Sequence, residues 1–119
     1  MKKGRVKKQP KLVGFIQLVF FDDATGEVVT LGSAGFLSVE EDAAAWSNVK
    51  AFDGESSFQV DRLDANRDIY DERRVSAQTC EALTGKPIAT LIAEGRAALA
   101  AEMRGYQRTA MRLVVDSAR

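Results

Sequence analysis

Histidine is absent from this 119-residue sequence, and cysteine occurs once, at Cys80. Without histidine the chain lacks the commonest general base, the usual partner of serine and cysteine nucleophiles, and the commonest zinc ligand. A single cysteine cannot close an internal disulfide, which favours a reducing compartment such as the cytoplasm. We therefore expect a non-enzymatic protein with no catalytic residue, metal or cofactor, in which Cys80 is an inert core residue.

Long apolar runs are also missing, and no segment approaches the roughly 18 residues that a membrane-spanning helix needs. The apolar segment that follows the basic N-terminus contains Gln17 and has no small-residue cleavage site, so we interpret it as a strand rather than a signal peptide. Hydrophobic residues make up 45% of the chain and charged residues 29%, which is typical of a soluble globular domain. We expect no membrane partner.

Charge is distributed unevenly, although the formal net charge is zero. Six of the 17 Lys and Arg residues lie in residues 1–11, which contain no Asp or Glu; the other 11 face 17 Asp and Glu, so residues 12–119 carry a formal charge of −6. We expect a flexible basic arm at residues 1–10 and a single domain at residues 11–119. Such an arm indicates either an anionic partner or a contact with the acidic body. The candidate nucleic-acid contacts are Lys2, Lys3, Arg5, Lys7, Lys8 and Lys11.

The segment from Lys86 to Gly105 predicts the longest helix and the main packing element. Its large apolar residues recur at steps of three and four, which places them on one stripe of a helix. Pro87 suits the first turn and Gly105 suits a left-handed cap at the far end. The stripe consists of Ile88, Leu91, Ile92, Gly95, Leu99, Met103 and Tyr106.

Lys11 to Phe21 gives the strongest strand signal, and both of its faces are apolar except at Gln17. Such a strand is central in a sheet, or one of its faces meets a partner chain. A turn at residues 22–26 leads to a second strand at 27–31, and the glycines of residues 32–35 predict a bulge or bend.

The rest of the chain predicts an α+β domain. Ser38 and Glu41 fit a capping box that opens a short helix, and Ser76 and Gly85 bound another. Strands are predicted at 49–52 and 56–61 around an Asp53-Gly54 turn, and at 106–116, where a helix is the alternative. The expected fold is a mostly antiparallel sheet of about four to five strands, with the long helix packed on one face and one or two short helices.

Asp61, Asp64, Asp68 and Asp71 are spaced by three, four and three residues. On a helix they would form one acidic stripe, which could attract a cation or the basic arm. The interleaved arginines favour an ordinary solvated face.

Residues 75–96 resemble the helix-turn-helix opening of the excisionase-type and MerR-type DNA-binding domains. A short helix ends at Gly85, and Leu91-Ile92 precede Gly95-Arg96 as in the Leu-Ile-x-x-Gly-Arg pattern of that family. The segment between Gly85 and Gly95 is shorter than in that family, and it offers almost no base-reading side chains. The resemblance implies DNA binding by this helix pair.

Two functions remain open at this point. One is nucleic-acid association without sequence preference, through the basic arm. The alternative is a protein-interaction module, as a homodimer or a partner-binding adaptor, that uses the apolar strand 11–21 or the exposed end of the sheet.

Overall fold

This computed structural model describes residues 11–117, and their side chains as far as residue 104. These residues form one four-stranded antiparallel sheet and three helices. The strand order is β2-β1-β3-β4, and every neighbouring pair is antiparallel. The predicted α+β class with a long C-terminal helix is confirmed. The elements are β1 (Gly14–Asp22), β2 (Glu27–Phe36), α1 (Val39–Ser47), β3 (Phe58–Asp64), β4 (Ile69–Val75), α2 (Ala77–Thr84) and α3 (Ile88–Ser117).

β1 is an interior strand, paired with β2 on one side and β3 on the other. Its central position is confirmed. Leu18 belongs to the main core cluster, to which α1 contributes Trp46, α2 contributes Cys80 and α3 contributes Leu91. All three helices therefore pack on one face of the sheet, the face that carries Leu18 and Val60.

The two short helices begin at the predicted residues. Ser38 caps α1, and its hydroxyl accepts a hydrogen bond from the Glu41 backbone N–H at 3.1 Å. The Glu41 carboxylate reaches back to the N–H of Leu37 rather than that of Ser38. Ser76 caps α2 in the same way, and Gly85 ends it in the left-handed conformation with φ of 72°. Local capping chemistry thus set these boundaries.

The predicted hairpin at Asp53-Gly54 is wrong, because β3 and β4 turn at residues 64–68 instead. The Asp64 carboxylate accepts hydrogen bonds from the backbone N–H groups of Asn66 and Asp68, at 2.9 and 3.0 Å. This Asx geometry makes the turn, and Arg67 takes a positive φ of 67° within it. Residues 49–52 form a connecting segment that places Val49 in the core.

The four aspartates at 61, 64, 68 and 71 do not form the acidic stripe that a helix would give, because all four belong to the β3–β4 hairpin. Asp61 is buried within β3, Asp64 and Asp68 form the turn, and Asp71 lies in β4. Successive residues of a strand point to opposite faces of the sheet. Steps of three and four residues, which align side chains on a helix, therefore do not place these four carboxylates on one face.

The predicted cap at Gly105 and the predicted strand at 106–116 are wrong, and the helix given as the alternative for that segment is correct, since α3 continues to Ser117. A glycine inside a helix costs only about 1 kcal/mol relative to alanine, which the good helix formers around it outweigh. No helix in the part of the chain described here is both long and apolar enough to cross a membrane.

Candidate interaction surface

The basic arm lies outside the described residues, together with the predicted contacts Lys2, Lys3, Arg5, Lys7 and Lys8. Lys11 is described and exposed, three residues before β1 begins. From Lys11 the chain enters β1 at the end of the sheet where Gly14 pairs with Phe36 and Asp64. Of these six cations, the structure therefore places only Lys11.

The sheet face opposite the helices carries two phenylalanines of β1, and each is stacked by an arginine. The guanidinium carbon of Arg67 lies 4.3 Å from the ring centroid of Phe15, and that of Arg74 lies 5.1 Å from that of Phe21. Cation–π contacts of this kind shield the rings from water while keeping the charges solvated. This face is therefore partly closed by the chain's own side chains.

The centre of the same face is a polar network around Asp61. Its carboxylate accepts hydrogen bonds from the side-chain amides of Gln17 at 3.0 Å and Gln59 at 2.6 Å. Gln59 in turn accepts a hydrogen bond from Arg74 at 3.1 Å. Asp61 is 4% exposed, and each of its carboxylate oxygens accepts one of these amide hydrogen bonds. The arrangement stabilises the sheet and leaves little capacity to bind a ligand.

The two edges of the sheet differ sharply in charge. β4 carries Asp71, Glu72, Arg73 and Arg74, a pattern that discourages pairing with another strand. β2 carries no charged residue from Val28 to Phe36, and its second half, Gly32–Phe36, is mostly exposed. An uncharged exposed edge offers unpaired backbone N–H and C=O groups to another chain.

An apolar groove of about 280 Å³, the β2 groove, lies beside this edge, between the sheet and the α2–α3 connection. Aliphatic side chains dominate its interior, and the small residues Gly32, Ser33 and Ala34 lie on the side that belongs to β2. The other lining residues are Ile16, Leu18, Leu31, Val60, Leu83, Thr84, Lys86 and Leu91. Small residues on the strand keep the groove open towards the sheet edge.

Charged groups around the groove are already paired. The Lys86 ammonium lies 2.9 Å from the Glu94 carboxylate. Glu81 accepts a hydrogen bond from the N–H of Ile88 at 2.7 Å, which satisfies a donor at the start of α3. The groove is thus suited to an apolar side chain rather than to an ion.

The space in front of the Gly32 Cα is open within its own chain. A Cβ added to this residue would meet no atom within 4 Å, and its φ is not in the positive range. The bulge at Leu18/Val19 precedes it, because Val19 pairs with Thr30 and Leu18 pairs with Gly32. Leu31 is the extra residue of this bulge and lines the groove. The empty space at Gly32 is therefore available to a group from another molecule.

The described side chains offer little for catalysis. Cys80 is fully buried, and burial raises the pKa of its thiol to about 11, which keeps it protonated at neutral pH. No group of three or more His, Cys, Asp or Glu residues is placed to hold a metal ion among the residues described. The helix pair that resembles a DNA-binding motif buries Leu91 in the core and Gly95 against β2, so this side of α3 faces the sheet.

The predicted end of the second strand at residue 31, with a bulge or bend at residues 32–35, is wrong, because β2 continues to Phe36 and its bulge is at Leu31. The β2 groove was not predicted. The available signal was the absence of charge from Val28 to Leu37 together with four consecutive small residues at 32–35. The groove itself depends on how α2 and α3 cross the sheet, which no local pattern specifies.

Comparison with protein-family models, with curated proteins and with solved structures finds no match for this chain.

Proposed function

We propose that this protein is a non-enzymatic, cytoplasmic protein-interaction module that binds an extended segment of another chain at the edge of β2. The observation that carries the proposal is the exposed, uncharged edge Gly32–Phe36 beside an apolar groove. Strand addition of this kind takes affinity from main-chain hydrogen bonds and specificity from pockets for alternate side chains. The bound segment would place one apolar side chain in the β2 groove.

The expected affinity is modest. Each backbone hydrogen bond adds about 1 kcal/mol net, and burial of one leucine-sized side chain adds about 1.5–3 kcal/mol. Association also loses translational and rotational freedom, which consumes much of this gain. A short segment is therefore expected to bind with a dissociation constant of about micromolar or weaker, corresponding to about −8 kcal/mol.

The test is selection of random peptides displayed on phage against the immobilised full-length protein, followed by binding titrations of the selected peptides. Gly32→Val should abolish binding, because the new side chain extends into the open side of the groove, where an added Cβ meets no atom within 4 Å. Thr30→Val is the matched control, since Thr30 pairs with Val19 and lies on the opposite face of the same strand. Selected peptides that bind wild type and Gly32→Val equally would contradict the proposal.

Nucleic-acid association through the basic arm is the second candidate function. It is favoured by the six positive charges of residues 1–11, and by the exposed position of Lys11 at the entry to the sheet. Phosphate contacts by such an arm position a protein without reading sequence. This activity and strand binding would use different parts of the chain and could coexist.

A further inference from the structure

We propose that the segment bound at the edge of β2 is the β2 strand of a second copy of this chain, so that two sheets join into one of eight strands. This inference rests on the proposed function, because it names the occupant of the same edge and groove. The two β2 strands would run antiparallel about a two-fold axis at Ala34. Two copies then use the same surface, as a symmetric dimer interface requires.

Charge favours this occupant. A homotypic contact brings every charge on the surface against itself, so like charges near the axis would repel. Residues Val28–Phe36 contain no Asp, Glu, Lys or Arg, and the strand can meet its own copy without such repulsion. β4, with its four consecutive charges, would form both outer edges of the eight-stranded sheet and stop further addition.

The spacing of side chains around Ala34 is self-complementary. With Ala34 opposite Ala34, the Phe36 of each copy falls opposite the Gly32 of the other. Gly32, Ala34 and Phe36 pair with Leu18, Ile16 and Gly14, respectively, so all three lie on the helix-bearing face. The Phe36 ring would therefore cover the empty space at Gly32, at the mouth of the β2 groove. Each copy would fill the other's groove.

An aromatic ring already covers a glycine within a single copy, on the sheet face opposite the helices. Phe15 of β1 pairs directly with Gly35 of β2, and a Cβ on Gly35 would lie 3.2 Å from two carbons of the Phe15 ring. The ring thus covers a glycine on the neighbouring strand, which is a known way to compensate for a glycine in a sheet. The proposed pairing repeats this arrangement between two copies.

The interface is small, so the dimer should depend on concentration. A standard stable interface takes about 800 Å² from each partner, and a paired half-strand with one ring per groove supplies less than this. Sedimentation equilibrium of the full-length protein across the micromolar to millimolar range should show a monomer–dimer equilibrium. Gly32→Val should raise the dissociation constant of the dimer by roughly tenfold or more, because each groove loses a well-buried side-chain contact. Thr30→Val should leave it unchanged.

Cysteine cross-linking tests the register. Directly opposed residues of antiparallel strands have Cα atoms about 4.5–5.5 Å apart, which a disulfide can bridge. Ala34→Cys should therefore form a cross-linked dimer under mild oxidation. Ser33→Cys should not, because the two copies of residue 33 would be diagonal neighbours about 7–8 Å apart. The native Cys80 does not interfere, being fully buried.

The outcomes separate this inference from the proposed function. A protein that stays monomeric at every concentration, yet binds selected peptides in a manner that Gly32→Val abolishes, overturns the homodimer and keeps strand binding. A dimer that survives Gly32→Val and shows no Ala34→Cys cross-link overturns the β2 pairing. Thermal melts of each variant test whether the fold is retained, and the open space at Gly32 leads us to expect that it is.

Discussion

At the residue scale, Asp22 and Arg96 connect the end of β1 to α3. The Arg96 guanidinium donates to the Asp22 carboxylate, which also accepts a hydrogen bond from the Ala24 backbone N–H at 3.0 Å. Burial alone would raise the pKa of Asp22. The hydrogen bonds from Ala24 and Arg96 outweigh it and hold the pKa of this carboxyl below its ordinary value of 3.8.

This pKa shift predicts a particular dependence of stability on pH. A carboxyl whose pKa is lower in the folded state stabilises the fold at pH values above its unfolded pKa, and loses that contribution as the pH falls through the folded pKa. The difference in unfolding free energy between wild type and Asp22→Asn should therefore be constant near neutral pH and shrink below about pH 3.8. Urea titrations of both proteins at a series of acidic pH values measure this difference in unfolding free energy. A difference that grows on acidification would contradict the assigned direction.

At the element scale, the close approach of α3 to β2 depends on Gly95. A methyl group at this position would lie 2.7 Å from Val29 Cγ1 and 2.8 Å from the Thr30 carbonyl oxygen. Because one of these atoms belongs to the backbone, the helix itself would have to shift. The apolar stripe of α3 is accordingly buried at Leu91 and Gly95, whereas Met103 is 52% exposed.

Gly95→Ala should destabilise the protein, although alanine normally favours a helix over glycine by about 1 kcal/mol. The expected net loss is about 1–3 kcal/mol, the usual cost of overpacking. Ala97→Gly is the control: Ala97 is exposed on the same helix, so its substitution should cost only about 1 kcal/mol. Chemical denaturation measures both. A Gly95→Ala variant more stable than wild type would show that α3 does not press on β2 here.

The elements that could be predicted from sequence are those set by local chemistry. Ser38, Ser76 and Gly85 bounded the short helices because caps depend on a few neighbouring residues. The β3–β4 hairpin was missed because β4 is an edge strand, where charged residues are tolerated and the alternating apolar pattern is lost. Its turn depends on the Asp64 side chain rather than on a typical hairpin dipeptide.

Less of the candidate site could be predicted. The two apolar faces of β1 indicated a central strand, and the sheet confirms this. The β2 groove requires Leu83 and Leu91, which are distant in sequence, to meet β2 across the sheet. Such juxtaposition follows from tertiary packing, so no pattern within a single element indicates it.

At the scale of the whole molecule, the main feature is a basic segment attached to an acidic body. Residues 1–11 carry six positive charges, whereas residues 12–119 carry a formal charge of −6. If the arm contacts duplex phosphates through all six, the logarithm of the binding constant should fall against the logarithm of salt concentration with a slope of about −5, from about 0.9 per neutralised phosphate. Affinity should vary little among duplex sequences, because phosphate contacts carry no base information.

Two variants of the arm test this prediction against its alternative. Removing residues 2–11, or replacing their six cations with glutamine at unchanged length, should abolish duplex binding measured by fluorescence anisotropy at about 50 mM salt, where phosphate contacts are strong. Both variants should keep the stability of the wild type if the arm only contacts nucleic acid. An arm that instead lies on the acidic body would leave full-length protein with little affinity for duplex, and its removal would shift the NMR signals of exposed acidic residues such as Asp68 and Asp71. Unchanged affinity after removal of residues 2–11 would exclude the arm as the nucleic-acid contact.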